Sequence, residues 1–438
     1  MITPAKNTID FTSILEELNS TARKSSPRWL ADNQKSGLSR FSKLGLPTVK
    51  DEEWKYTNVA PIANKKFHLP KHHALNEAAE LDAYIKDSKI AVVYINGVFS
   101  KEHSRLSDLS EGLSIVNFAD LDKETHKTIQ PFLEKYSASD ENAFVSLNRA
   151  FINQGAIIQI ENNTVVKELI HIVHIVSGKE ADIVTFPRSL VIAGKSCEAE
   201  ILESYISFSH QVYFTNAVTD IFQEENSKIR YYKAQGESNA SYHVGTTRAF
   251  QERDSRFESF SFSTGAELAR NDLNIILNGE GAEAILNGLY AATGEQHIDN
   301  HTSVDHRPPN CKSNQLYKGI LDGNAKAVFN GKIFVKREAQ QTNSYQLNKN
   351  LLLGAGCQVN TKPQLEIFAD DVRCTHGATI GQLDEDELFY LRARAIPKAM
   401  AVKMLARGFV DDIFSRINNP AVRNKMDKLL TQAFSLLK

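Results

Sequence analysis

Cysteine is scarce: Cys197, Cys311, Cys357 and Cys374 are the four in 438 residues. So few exclude a disulfide-built scaffold. No two stand as C-x-x-C, which excludes a zinc-finger or ferredoxin-type site made within the chain. No run approaches the ~18 apolar residues of a membrane-spanning helix. Residues 1–7 lack the apolar core of a secretory signal. An excess of either charge is also missing, since 51 basic residues face 53 acidic ones. A globally basic, nucleic-acid-binding surface is therefore not expected. These absences point to a reduced, soluble, cytoplasmic protein that binds neither nucleic acid nor membrane. With 42% hydrophobic residues, the chain is long enough to bury a large core without staples.

What is there changes texture along the chain. Residues 1–155 read as a mixed, mainly helical domain. Apolar Phe11, Ile14, Leu15 and Leu18 predict a helix over residues 10–21, and Trp29, Leu30, Leu38, Phe41 and Leu44 predict another over Arg28–Leu44. Gly45-Leu46-Pro47 stops it. Thr48 and Asp51 form a T-x-x-D capping signature for a short helix carrying Trp54 and Tyr56. Asn96-Gly97 between two apolar runs predicts a tight type I′ hairpin.

Residues 156–380 read as a succession of short β-rich runs separated by Gly, Asn, Asp and Ser. About 220 residues without crossover helices exclude a doubly wound sheet and leave a sandwich, a barrel or a solenoid. Residues 282–288 (AEAILNG) align with 325–331 (AKAVFNG) at an offset of 43. That predicts a parallel β-helix with two turns of about 21 residues between the copies, which then lie on the same side. Residues 381–438 return to helices. Pro397 opens a long one whose apolar stripe is Ala399, Val402, Ala406, Phe409 and Ile413, and a second runs from Pro420 toward Leu437. These helices must pack on something, and a solenoid end needs a cap.

Candidate chemistry is sparse. Gly194-Lys195-Ser196 suggests a phosphate loop, but the glycine such a loop needs is replaced by Ser189. A polar turn is expected, in a chain that is not itself an ATPase. His297, Asp299 and His301 alternate, so on a strand they share a face, as a metal site or a solvent-facing polar row would. Cys374 and His376 are also two apart, about 6.5–7 Å on one strand face. A thiolate and an imidazole suit iron, zinc or copper(I), but two ligands leave a site incomplete without a second chain. A packed cysteine and a hydrogen-bonded histidine are the plainer alternative. Asp322, Asp370 and Asp371 are available for a carbohydrate-acting β-helix enzyme, which needs converging acids.

Several motifs occur together. They are Asp305-His306-Arg307-Pro308-Pro309, Ser313-Asn314-Gln315-Leu316-Tyr317-Lys318-Gly319-Ile320, Asn330-Gly331-Lys332-Ile333, Gln340-Gln341-Thr342, Asn348-Lys349-Asn350-Leu351-Leu352-Leu353 and Lys362-Pro363-Gln364-Leu365-Glu366-Ile367. Cys374-Thr375-His376-Gly377-Ala378-Thr379 follows them, and Glu52-Glu53-Trp54-Lys55-Tyr56-Thr57 and Leu147-Asn148-Arg149-Ala150-Phe151 lie upstream. With these the chain resembles the SufB/SufD family of iron–sulfur cluster assembly proteins, and within it the SufD branch. The resemblance implies a right-handed parallel β-helix core with helical N-terminal and C-terminal domains. It implies a noncatalytic scaffold subunit of a SufBCD complex of the SUF system, partnered by a SufB-like paralogue and two copies of a SufC-like ABC ATPase. A homodimer is the alternative for the isolated chain. The nascent cluster is expected at the interface with SufB, with His376 and secondarily Cys374 as ligands. The C-terminal helices are expected to dock the ATPase, on the face carrying Met400, Lys403, Met404 and Arg407. A reduced flavin is associated with such complexes, although no flavin motif is found in this chain.

Overall fold

The computed structural model describes residues 28–135 and 142–437. The helix expected over residues 10–21 lies outside them. The helix Arg28–Leu44 has the expected bounds. The Thr48 main-chain N–H donates to Asp51 Oδ2 at 2.7 Å, but the element that follows is only a 3-10 turn, Glu52–Trp54. Trp54 is buried and Tyr56 lies exposed beyond the turn. The hairpin forms as expected: Asn96 and Gly97 both take positive φ, 47° and 79°, between the strands Ile90–Ile95 and Val98–Phe99.

The core is a parallel β-solenoid of two ten-stranded sheets. Strands alternate between them: Glu198–Ser207 lies in one, Tyr213–Gln223 in the other, Lys228–Glu237 in the first again. The strand Ile90–Ile95 joins the same sheet, parallel to Ile170–Val176, so residues before 156 contribute to it. One corner is built the same way on rung after rung. Asn163, Ser196, Asn226, Asp254, Gly281, Asn310 and Gln341 all have φ between 55° and 75° except Asp254 at 52°. Asparagine, aspartate and glycine tolerate that region best. The N–H of Ser196 bonds Glu225 O, that of Asn226 bonds Arg253 O, and that of Asp254 bonds Glu280 O, each at 2.9 Å on the next rung. Gly194-Lys195-Ser196 is therefore a rung corner, with Lys195 paired to Glu225 at 3.0 Å.

The repeat differs from the expectation in period and placement. Glu283 lies beside Lys312 and Lys326 beside Gln358, so a rung takes about thirty residues and holds two long strands. An offset of 43 is one and a half rungs, which puts residues 282–288 and 325–331 on opposite sheets rather than on the same side. Their likeness has a packing cause. Each presents an inward alanine, a large apolar residue and a glycine, and a Cβ on that glycine would overlap Tyr317 (at Gly288) or Gln346 (at Gly331). Gly288 faces Tyr317 and Tyr290 faces Gly319 across one strand pair, so each ring fills its partner's missing side chain.

The C-terminal helices Lys398–Phe414 and Pro420–Ser435 do not cap the solenoid. Ala406, Val410, Ile413, Phe414, Met426 and Leu430 pack on the outer face of one sheet, against Tyr232, Phe260, Phe262, Leu289 and Leu316. Val402, Ala406 and Ile413 of the expected stripe are buried, Phe409 is half-buried, and Ala399 is exposed because it stands in the first turn, before the helix reaches the sheet. Lys425 reaches back to the Tyr84 carbonyl of the helix Ala78–Ile85. Among the described residues no helix is long and apolar enough to cross a membrane.

Candidate functional site

With the helices on the flank, the described residues leave the last rung open. Among the described residues, the strands Gln358–Ile367 and Val372–Gln382 end their sheets, each paired on one side only. Their residues are half-buried or exposed, and Tyr345, Ile367, Phe368 and Ile380 stand exposed around them. An unpaired edge with apolar side chains is a template for another strand.

Cys374 and His376 sit on the terminal strand and share its inward face, beside Ser344 and Gln346 of the strand Thr342–Leu352. Cys374 is half-buried against Ile333, Val335, Ala339 and Ala369. That burial pushes its thiol pKa up, against the smaller opposing effect of the Ser344 main chain. His376 is exposed. Beneath them run two files of buried polar side chains. Ser344 bonds Ser313 at 2.7 Å, and Ser313 bonds His306 at 2.9 Å. Gln346 Nε2 donates to Gln315 Oε1 at 2.7 Å. The sequence motifs include His306, Ser313 and Gln315 without linking them to Cys374 or His376, and they leave out Ser344 and Gln346. Their signal in the sequence is a spacing of about thirty, which a rung of about 21 residues does not reveal. Cys197 and Cys311 are buried and their thiol pKa values are pushed up to about 12 and about 11. Cys357 is half-buried at another corner.

His297, Asp299 and His301 share a face, but it is not a solvent-facing row. The Glu52–Trp54 turn and Thr57 close over it. Thr57 donates to Asp299 Oδ2 at 2.6 Å, and Arg270 donates to Asp299 at 3.0 Å and to the Glu53 carbonyl at 2.6 Å. The Arg270 guanidinium lies 3.7 Å over the Trp54 ring. His301 stands 3.1 Å from Asp299 Oδ1 and 3.4 Å from Glu53 Oε2. Burial is the largest single effect and opposes its charge, but the charge and hydrogen bond of Asp299 together with the hydrogen bond to Glu53 lift the imidazole to about 9. A protonated ring is not a metal ligand, and among the described residues no group of three or more His, Cys, Asp or Glu is placed to hold a metal. A cleft of about 880 Å³ opens beside this clamp. Of the cations that line it, Arg248, Arg270 and Lys332 are paired with Asp220, Asp272 and Glu53, and Lys50 lies on its rim.

Met400 and Met404 are 57% and 48% exposed on the helix Lys398–Phe414, near exposed Phe389 and Tyr390 in sequence. Lys403 is half-buried. Arg407, also half-buried, bonds Asp411 at 2.8 Å and pairs with Asp427 of the neighbouring helix.

The "SUF system FeS cluster assembly, SufBD core domain" pattern matches residues 174–409, more than half the chain, and the "SufBD protein N-terminal region" pattern matches residues 5–172. The chain belongs to the SufBD family. It is 32% identical over 406 residues to an iron–sulfur cluster assembly SufBD family protein of Synechocystis, covering 91% of this chain and 89% of that one. It is 30% identical over 390 residues to the iron–sulfur cluster assembly protein SufD of Escherichia coli, covering 89% of each. It is also 30% identical over 387 residues to the chloroplastic protein ABCI7 of Arabidopsis thaliana, covering 86% of this chain and 81% of that one. As a SufBD chain, this protein places the motif Cys374–Thr379 on the open terminal strand of its solenoid.

Proposed function

We propose that this SufBD chain is a noncatalytic scaffold subunit of a cytoplasmic iron–sulfur cluster assembly complex. Its open solenoid end pairs with a SufB-like paralogue, and the nascent cluster, as cargo, forms at that junction with His376 as this chain's ligand. The division into residues 1–155, 156–380 and 381–438 belongs to the same reading. The observation that carries it is the pairing of an uncapped double edge with an exposed imidazole on its inward face. An imidazole with no completing ligands among the described residues of its own chain suits a shared site. Cys374 is the second candidate, disfavoured by its raised pKa. Two copies of a SufC-like ABC ATPase supply the nucleotide chemistry, one of them on the Met400/Met404 face. No residue of this chain is assigned to a flavin.

The carbohydrate-acting reading lacks comparable support. Asp322 lies on the corner that leaves the first sheet and Asp370 and Asp371 on the corner that returns to it, so the three acids do not converge. The test is co-expression with the paralogue and the ATPase, with Phe368→Glu and Ile380→Glu placed on the edge. Loss of paralogue from the purified complex, with the chain still folded, is expected. Undiminished co-purification, or a wild-type chain that captures neither partner, overturns the reading.

A further inference from the structure

One file of inward side chains leads to His376. Gln315, Gln346 and His376 are register neighbours on successive rungs of one sheet. Gln346 is wholly buried although one strand alone separates it from the open edge. Its Nε2 donates to Gln315 Oε1, and Gln315 Nε2 donates in turn to Thr302 Oγ1. A primary amide has a donor end and an acceptor end. With the donor end of Gln346 committed to the rung below and that of Gln315 to Thr302 of the opposite sheet, the oxygen of Gln346 is left for the rung above. Among the described residues Gln346 Oε1 has no hydrogen-bond partner. The Nε2 end is held in place across Gly331 of the opposite sheet, where a Cβ would overlap it. A buried, unpaired carbonyl oxygen is costly. The residue above it in register is His376.

We propose that Gln346 is the positioning residue of His376. Its Oε1 accepts the N–H of one imidazole nitrogen once the exposed ring turns toward it. That bond fixes the tautomer and leaves the other nitrogen's lone pair facing out over the edge, as a ligating histidine requires. The file under Cys374 is built of serine hydroxyls, which rotate and impose no direction. The consequence for iron rests on the proposed role of His376; the Gln346–His376 contact does not.

The test uses the full chain with ¹⁵N-labelled histidine at alkaline pH, where an unperturbed imidazole is neutral. Nitrogen chemical shifts then report the tautomer, and His376→Ala identifies the His376 signal among the 13 histidines. Gln346→Met is expected to change the tautomer ratio about fivefold, the equivalent of about 1 kcal/mol for one neutral hydrogen bond. Gln346→Glu keeps an acceptor oxygen, now a carboxylate that accepts more strongly, and is expected to hold the wild-type tautomer at least as firmly. Gln315→Met frees the Gln346 amide to turn and is expected to shift the ratio as Gln346→Met does, which serves if the latter does not fold. An unchanged ratio in Gln346→Met or Gln315→Met overturns the proposal, even if His376→Ala still abolishes cluster build-up in the complex. Normal cluster build-up in His376→Ala instead removes the ligand role and leaves the measured contact standing.

Discussion

Thr57 donates its hydroxyl proton to Asp299 Oδ2 at 2.6 Å, across 242 positions of sequence. This bond fastens the segment that follows the N-terminal helix onto the outer face of the solenoid. Asp299 is fully buried and also faces Arg270 and His301. Thr57→Val should cost about 1–3 kcal/mol, the penalty for a buried acceptor losing its partner. Asp299→Asn should cost about 3–5 kcal/mol, because it leaves buried cations without their counter-charge. Denaturant unfolding measures both, and equal losses for the two variants would contradict this ranking.

The same cluster sets a pH dependence. His301 is raised to about 9 from an ordinary value of 6.5. Its contribution to stability is full below the unfolded value and is lost as pH climbs through about 9. Glu53 is lowered to about 2, chiefly by its hydrogen bond from His301. That contribution is present above the ordinary carboxylate range and fades as pH falls toward 2. Melting temperature should therefore decline on the alkaline side between about pH 7 and 9. His301→Gln should flatten that limb; a wild-type slope in the variant would exclude His301 as its source.

At the open edge, His376→Ala should leave folding and partner assembly nearly intact while sharply reducing cluster build-up. Cys374→Ser should do less, since the thiol packs against Val335 and Ala369 and its pKa is raised. Iron and sulfide content of the complex and activation of an apo-ferredoxin are the readouts. A larger loss in Cys374→Ser reverses the two roles.

On the flank, Met400→Asp with Met404→Asp should weaken ATPase pull-down without lowering the melting temperature, because both side chains are about half exposed. Arg407→Ala should behave differently. It breaks the link to Asp427 between the two C-terminal helices, so its stability falls first. Pull-down unaffected by the double methionine change would move the docking site elsewhere.

Inside the solenoid, Gly288→Ala and Gly319→Ala each push a methyl into a tyrosine ring, and about 1–3 kcal/mol of stability should be lost. Tyr317→Phe, which keeps the ring, should leave Gly288 equally intolerant. A Gly288→Ala protein as stable as the wild type would show that the rings move aside.

Local pattern was legible where a residue's neighbours in sequence are also its neighbours in space. The helix Arg28–Leu44, the Asn96–Gly97 hairpin, the strand runs and the helices opened by Pro397 and Pro420 follow from apolar spacing and turn chemistry. So did the alternation that puts Cys374 and His376 on one face. The rung length was not legible, because two segments resembled each other for packing reasons while lying on opposite sheets. Without it, Gln315 and Gln346 had no visible link to His376.

By itself, the sequence determined a cysteine-poor chain of short strands between helices, its family motifs, and which residue types each corner accepts. Only the tertiary structure decided that the C-terminal helices cover a flank rather than the last rung. Their apolar stripe would pack on any sheet surface, and it is the outward Tyr232, Phe260 and Leu289, on three different rungs, that select this one. Only the tertiary structure, too, closed Thr57 and Glu53 over His301 and turned an apparent ligand row into an ion-paired clamp. Contacts between residues hundreds of positions apart depend on stacking register, and that register is a property of the whole solenoid.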